Sequence, residues 1–391
     1  MAHASGVPMR SLHRLPFPDR SIINTMNVRR TILPLTSLIA ICTGSLLADG
    51  VKFDRAFAPQ GGLVSRYEEP ARQEICLNGS WRFQGTVDLS VPGDTAPQLG
   101  AWDKVRIKIP SPWNVNAFSM AGGLPGGDFR AYPSYPKEWE HVPAAWMQRS
   151  IKVPSEWDGK QIVLHFGAVA GKMIVCVNGQ RVGAGFDIVL AQDFDVTRFV
   201  QPGQANQILV KVIGSKPFDQ PGSYGRRGNL AGSDWGTFIS GIWQDVYLLA
   251  EPKTFISEVY VQSKVDEDQL TVEATLINRD PAPAVIEIMG GAREWINQDG
   301  PSVSKAPEGK GKLAANASLD LPGQALTLAP GETRVVTMTT KVRGRLKSWT
   351  PEAPNLYGLI LKLSSNGENV DTKYQRLAWR QLTAPGSQRL P

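Results

Sequence analysis

The chain has 391 residues, 42% hydrophobic and 20% charged, with 38 Gly, 29 Pro and 11 Trp. That length serves two or three domains, and the composition excludes a disordered chain. The formal net charge is +6, but residues 1–48 hold five Arg against one Asp. The remainder is close to neutral with no Lys/Arg stripe, which excludes a binder of nucleic-acid backbone.

The run from Met26 reads as a secretory signal. Arg29 and Arg30 form a basic start, Leu33 to Ile41 a short apolar stretch, and Leu46-Leu47-Ala48 a cleavage-like end. Translation is expected to begin at Met26 and the product to be exported to the periplasm or beyond. The apolar stretch is too short, and too interrupted by Pro34 and Thr36, to span a membrane. Export removes Cys42 and leaves Cys76 and Cys176, which either pair or stay as free thiols on separate strands.

Beyond the leader, short apolar runs alternate with turn signals, the pattern of an all-β sandwich. Strands are predicted at Ser150–Val153, Gln161–Phe166, Met173–Val177, Arg181–Gly183, Asp193–Phe199, Gln207–Ile213 and Ile242–Leu249. Asn178-Gly179 marks a tight hairpin, because both residues tolerate positive φ. Near Glu251-Pro252 the pattern restarts, with strands predicted at Phe255–Ser263, Gln269–Asn278, Ala284–Met289, Ala325–Leu328, Arg334–Lys341, Leu356–Leu363 and Asn369–Trp379. Asn297–Pro322 is polar and is expected to be a long loop; Thr383–Pro391 reads as a tail.

Little in the composition speaks for chemistry. Only His141 and His165 lie beyond the leader, with no CxxC, HExxH or G-x-S-x-G spacing. Neither a metal site, a cofactor nor a Ser-His-Asp triad is expected. Trp81, Trp113, Trp146 and Trp243 are expected to fill sandwich cores, and Asp195 to bond Thr197 in a turn.

Several segments in fixed order resemble the front half of glycoside hydrolase family 2, the family of β-galactosidases, β-glucuronidases and β-mannosidases. They are Leu77-Asn78-Gly79-Ser80-Trp81-Arg82-Phe83, Ile109-Pro110-Ser111-Pro112-Trp113-Asn114, Ala145-Trp146-Met147-Gln148-Arg149, and Val175 to Gly183 with its Asn-Gly turn. Phe194-Asp195-Val196-Thr197, Ser240-Gly241-Ile242-Trp243 and Ser348-Trp349-Thr350-Pro351-Glu352-Ala353-Pro354-Asn355-Leu356-Tyr357 complete the series.

The resemblance implies a jelly-roll sugar-binding domain over 50–250 and an immunoglobulin-like sandwich over 251–378. It further implies a (β/α)8 catalytic barrel beyond, which takes about 250 residues. Only 12 residues follow Trp379, and the chain has no Asn-Glu dipeptide, where the family carries its acid/base Glu. The expectation is therefore an all-β chain without the barrel and without catalytic residues of its own, inactive unless a separate barrel chain completes it. In the family's β-galactosidases a jelly-roll loop offers an Asp to sugar hydroxyls. By that likeness Asp234, beside Trp235, is the candidate substrate-binding residue and carbohydrate the expected partner. The alternatives are an exported carbohydrate-binding module, with Trp235 and Trp139 as aromatic platforms, or a purely structural pair of sandwiches.

Overall fold

The computed structural model describes residues 62–114, 135–214, 239–296 and 311–382. The predicted leader and tail lie outside these residues. Strand dominates; the helical pieces among the described residues are 3₁₀ turns at Lys137–His141 and Ser155–Trp157.

The first sandwich is built from β1 (Gln73–Cys76), β2 (Gly79–Thr86), β3 (Ile107–Ile109), β4 (Ala144–Lys152), β5 (Gln161–Phe166), β6 (Val169–Val177), β7 (Gln180–Asp187), β8 (Gln192–Asp195), β9 (Ala205–Ile213), β10 (Gly241–Ile242) and β11 (Val246–Glu251). One sheet has the order β1-β11-β5-β8. The other has the order β10-β6-β9-β4-β2-β3, with β7 also on β6. The β6–β7 turn places Asn178 at φ 49° and Gly179 at φ 81°, the two left-handed residues that a tight hairpin requires.

Between the sheets lies a core rich in aromatics, with Trp81, Trp113, Trp139 and Trp157 all essentially buried. Trp146 departs from the expected packing. Met147 faces the shared core, so Trp146 faces the outer side of the larger sheet, where it joins Ile174, Cys176 and Leu209. Trp243 is half-buried and donates to the Ile188 carbonyl at 2.9 Å. Cys176 also faces outward, and Ile75 points into the core, so Cys76 points away from it. The two thiols stand on the outer faces of different sheets and are free.

The predicted strand Ile242–Leu249 is two strands. Gly241–Ile242 pairs with β6 in the larger sheet, and Val246 then starts β11 in the smaller one. The crossing is pinned where Asn78 Nδ2 donates to Asp245 at 2.7 Å and Val246 N–H donates to Asn78 Oδ1 at 3.0 Å.

The second sandwich pairs β12 (Thr254–Lys264), β13 (Gln269–Asn278) and β17 (Thr333–Lys341) in one sheet. The other holds β15 (Lys312–Leu313), β14 (Ala284–Ile296), β18 (Tyr357–Ser365) and β19 (Glu368–Leu377), with β16 (Leu319–Leu328) also on β14. Its core is aliphatic, with Leu270, Ile288, Leu359 and Leu361 fully enclosed or nearly so.

Two sequence readings are corrected here. β14 continues past Met289 to Ile296, because a bulge between Ile288 and Gly290 breaks the apolar alternation. The loop predicted to reach Pro322 ends earlier: Leu319 and Leu321 are buried in β16. Pro322 sits on a strand bonded only to β14, where a missing N–H is tolerated. Residues 297–310 lie outside the described set.

Both sandwiches belong to one compact unit. A segment ahead of β1 ties them together. Tyr67 hydroxyl accepts from Leu313 N–H at 2.9 Å, and Glu68 accepts from Tyr374 N–H at 3.0 Å. Arg72 then grips the fully buried Asp371 with two bonds of 2.9 and 2.7 Å and Glu251 with a third of 2.7 Å.

Candidate functional site

One end of the jelly roll gathers the roots of the two segments 115–134 and 215–238. After β3, Ser111 N–H donates to Ile242 O at 2.8 Å and Trp113 N–H to Ser240 O at 2.9 Å. Asn114 Oδ1 accepts from Ser240 N–H at 2.8 Å, and Gly214 N–H donates to Pro143 O at 2.8 Å. Gly241 has φ 126°, and a Cβ there would lie 3.1 Å from the Trp113 ring, so this crossing needs glycine. The candidate residues Asp234 and Trp235 fall within 215–238 and lie outside the described residues.

Under this end is a stack of aromatics. Phe83 and Trp139 stack at 3.8 Å between centroids, Tyr135 stacks on Trp139 at 5.0 Å, and Trp113 tilts against Phe83 at 5.9 Å. Trp139 is 2% exposed and its indole N–H donates to Asp103 at 2.7 Å. It is therefore a core residue and not the open platform considered from sequence. Burial pushes the Asp103 carboxyl up despite that hydrogen bond, and pushes the Tyr135 hydroxyl up to about 12.

The motif residues mostly hold the scaffold. Arg149 donates to the carbonyls of Leu77 and Asn78 at 2.9 and 2.7 Å, and Trp81 to Leu77 O at 2.8 Å. Thr197 donates to Asp195 through its hydroxyl at 2.6 Å and its N–H at 3.0 Å, the turn expected from sequence. His165 meets Asp193 at 2.7 Å on the outer face of the small sheet. Among the described residues no group of three His, Cys, Asp or Glu is placed to hold a metal ion.

Sequence reading missed a second feature, on the outer face of the larger sheet. Gln84, Trp146 and Lys211 stand in register across β2, β4 and β9. Residues 88–99 run over them and border a half-open pocket of about 440 Å³. Lys211 is 1% exposed; its ammonium donates to Asp88 Oδ2 at 3.0 Å and to Ser90 O at 2.7 Å, and lies 5.3 Å from the Trp146 ring centre. The Ser90 hydroxyl and N–H, with Lys211, hold the exposed Asp88 carboxyl down at about 2. Gln84 Oε1 is buried and accepts no hydrogen bond. The available signal was Lys211 inside the apolar strand Ile208-Leu209-Val210-Lys211-Val212-Ile213. A central lysine there must face away from the core.

The fold defines an all-β module of two sandwiches in series. A family model described as the sugar-binding domain of glycosyl hydrolases family 2 matches residues 75–252, and a second model of glycosyl hydrolases family 2 matches residues 254–380. The chain belongs to glycosyl hydrolases family 2. It is similar to a β-galactosidase of Priestia megaterium (strain DSM 319 / IMG 1521), 26% identical over 329 residues, covering 78% of this chain and 28% of that protein. It also resembles the structure of Bacteroides uniformis β-glucuronidase 2 with a cyclophellitol-6-carboxylate aziridine covalently bound. That likeness has a TM-score of 0.57 at 22% identity and covers 79% of this chain and 33% of that one. A family 2 member from Bacteroides cellulosilyticus DSM 14838 matches with a TM-score of 0.52 at 17% identity, covering 79% of this chain and 37% of its own. The chain thus spans about a third of the relatives it matches, and at these identities the structures speak for the fold alone.

Proposed function

We propose that this chain is the non-catalytic front of a β-galactosidase-like family 2 glycosidase, acting in hydrolysis of O-glycosyl bonds when a (β/α)8 barrel completes it. The observation that carries this reading is the pair of family models in series, sugar-binding domain then second sandwich, over 75–380. Retaining hydrolysis needs two accessible carboxyl groups about 5 Å apart, one as acid/base and one as nucleophile. Asp371 and Glu251 do converge, but on the Arg72 guanidinium, with Asp371 wholly buried. No bond-cleaving pair is available from them.

In this reading the jelly roll supplies binding rather than chemistry. Asp234 accepts sugar hydroxyls at the barrel's mouth, and Trp235 offers an apolar face beside it. The exported setting read from the leader belongs to the same proposal. A second reading, a carbohydrate-binding module acting alone, is favoured by the sugar-binding family model over 75–252. The test is turnover of p-nitrophenyl β-galactoside and β-glucuronide by the purified chain, and none is expected. Turnover abolished by substituting a single Asp or Glu of this chain contradicts the proposal.

A further inference from the structure

We propose that Asn366 is a site of spontaneous deamidation in the folded chain, and that Asn78 and Asn178, in the same dipeptide, are kept from it. The reactants are the chain itself and water. The Gly367 amide nitrogen attacks Asn366 Cγ as its proton passes to solvent. The Cγ–Nδ2 bond breaks, and ammonia leaves with a proton taken from water. The cyclic imide then adds water and opens at either carbonyl, giving aspartate or isoaspartate. The inference is independent of the glycosidase reading.

The attack needs a nitrogen that no side chain shields, which a following glycine provides. Asn-Gly occurs three times among the described residues, at Asn78-Gly79, Asn178-Gly179 and Asn366-Gly367. Backbone shape does not separate the last two. Asn178 and Gly179 stand at φ 49° and 81°, Asn366 and Gly367 at φ 51° and 81°. Both are hairpin turns, and each hairpin carries a register shift, between Val175 and Cys176 in one and between Leu363 and Ser364 in the other.

The side chains do separate them. Asn178 Nδ2 donates to Phe199 O and to Asn206 Oδ1, each at 2.8 Å, and its Oδ1 accepts from Gln207 N–H at 2.8 Å. Gly179 O accepts from Ala96 N–H at 2.9 Å, so that turn is tied through its backbone as well. Asn78 is held by Asp245 and by the Val246 N–H, at 2.7 and 3.0 Å. Ring closure at either residue first breaks these bonds. Asn366 is exposed, with Gly367 and Glu368 beside it, and its amide has no hydrogen-bond partner among the described residues. The space beside Gly367 is open. A hairpin tip of this kind opens locally at little cost, which frees the side chain to reach the next nitrogen.

The product sets a second carboxylate next to Glu368. Its iso form adds a backbone carbon to a turn that fixes the register of β18 and β19, where Ser365 pairs with Glu368.

The test is peptide mapping by mass spectrometry of the full chain, aged in warm, mildly alkaline buffer, beside the same chain unfolded in urea. In the folded chain Asn366 is expected to convert at least about tenfold faster than Asn178 or Asn78, the factor that one or two hydrogen bonds supply. In urea the three are expected to convert at similar rates, because each precedes glycine. Equal rates in the folded chain overturn the proposal. So does an Asn366 that stays unconverted in the folded chain, whatever the unfolded chain does. Asn366→Asp is expected to leave the melting temperature unchanged. Asn178→Asp is expected to lower it, because a carboxylate cannot donate to Phe199 O. An equal fall for Asn366→Asp means that its amide is held in the turn, and overturns the site.

Discussion

Asp371 has no exposed surface, and its carboxylate is saturated by Arg72 Nε and Nη2 and by the Ile256 N–H at 2.8 Å. Burial by itself lowers the Arg72 pKa, but the hydrogen bond and charge of Asp371, with Glu251 and Glu68, outweigh it and raise it. Arg72→Ala leaves a buried carboxylate with no cation. The expected loss is about 3–5 kcal/mol in urea unfolding, because an orphaned buried charge keeps its desolvation cost. Asp88 gives a pH prediction. Its folded pKa, about 2, lies below the ordinary carboxylate value, so its contribution is complete above that ordinary value and is lost as pH falls through about 2. Wild type is expected to lose its margin over Asp88→Asn as stability is followed from pH 5 down to 2; a margin that does not shrink contradicts the Lys211–Asp88–Ser90 arrangement. Local residue chemistry was legible in sequence: Asn178-Gly179 and Asp195 with Thr197 act on their own neighbourhood. Arg72 was not legible, because its partner Asp371 lies 299 residues away and only the fold brings them together.

At the scale of elements, a strand was legible where apolar alternation ran unbroken. Gln161–Phe166 and Gln269–Asn278 have the predicted limits. Alternation failed as a guide where a strand changed partner or bulged. β10 and β11 share one apolar run but serve different sheets, and β14 passes through its bulge. In β16, Asp320, Pro322 and Gly323 mask the inward pair Leu319 and Leu321, since an edge strand needs only one apolar face. Leu319→Ala is expected to cost about 2–5 kcal/mol in chemical denaturation, the price of a cavity in a closed core. A change below about 0.5 kcal/mol, as an exposed loop residue gives, contradicts the strand assignment.

At the scale of the whole molecule, two cores of different character are joined by a segment that belongs to neither sheet of the first. Residues 65–72 precede β1 yet bond to Leu313, Tyr374 and Asp371 of the second sandwich. The two sandwiches are thereby held to one another by buried charge as well as by the chain at Glu251-Pro252. In the proposed glycosidase such a joined pair is the platform that presents one end of the jelly roll to the barrel. Exposed apolar side chains among the described residues are mostly scattered, with a local group at Phe186, Val189 and Leu190. The sequence could announce the family through its turns and tryptophans, because these build the scaffold. It could not announce the outer-face pocket, whose floor comes from three strands and whose border is a loop without regular structure. The central claim is that this chain is the binding and scaffolding front of a family 2 glycosidase. The most direct measurement is turnover of p-nitrophenyl β-galactoside by the chain alone and co-expressed with the part of the Priestia megaterium β-galactosidase that this chain does not match. The account predicts no turnover from the chain alone and turnover from the co-expressed pair. Activity in the chain alone that depends on one of its own carboxylates, or a barrel left inactive by its presence, contradicts it.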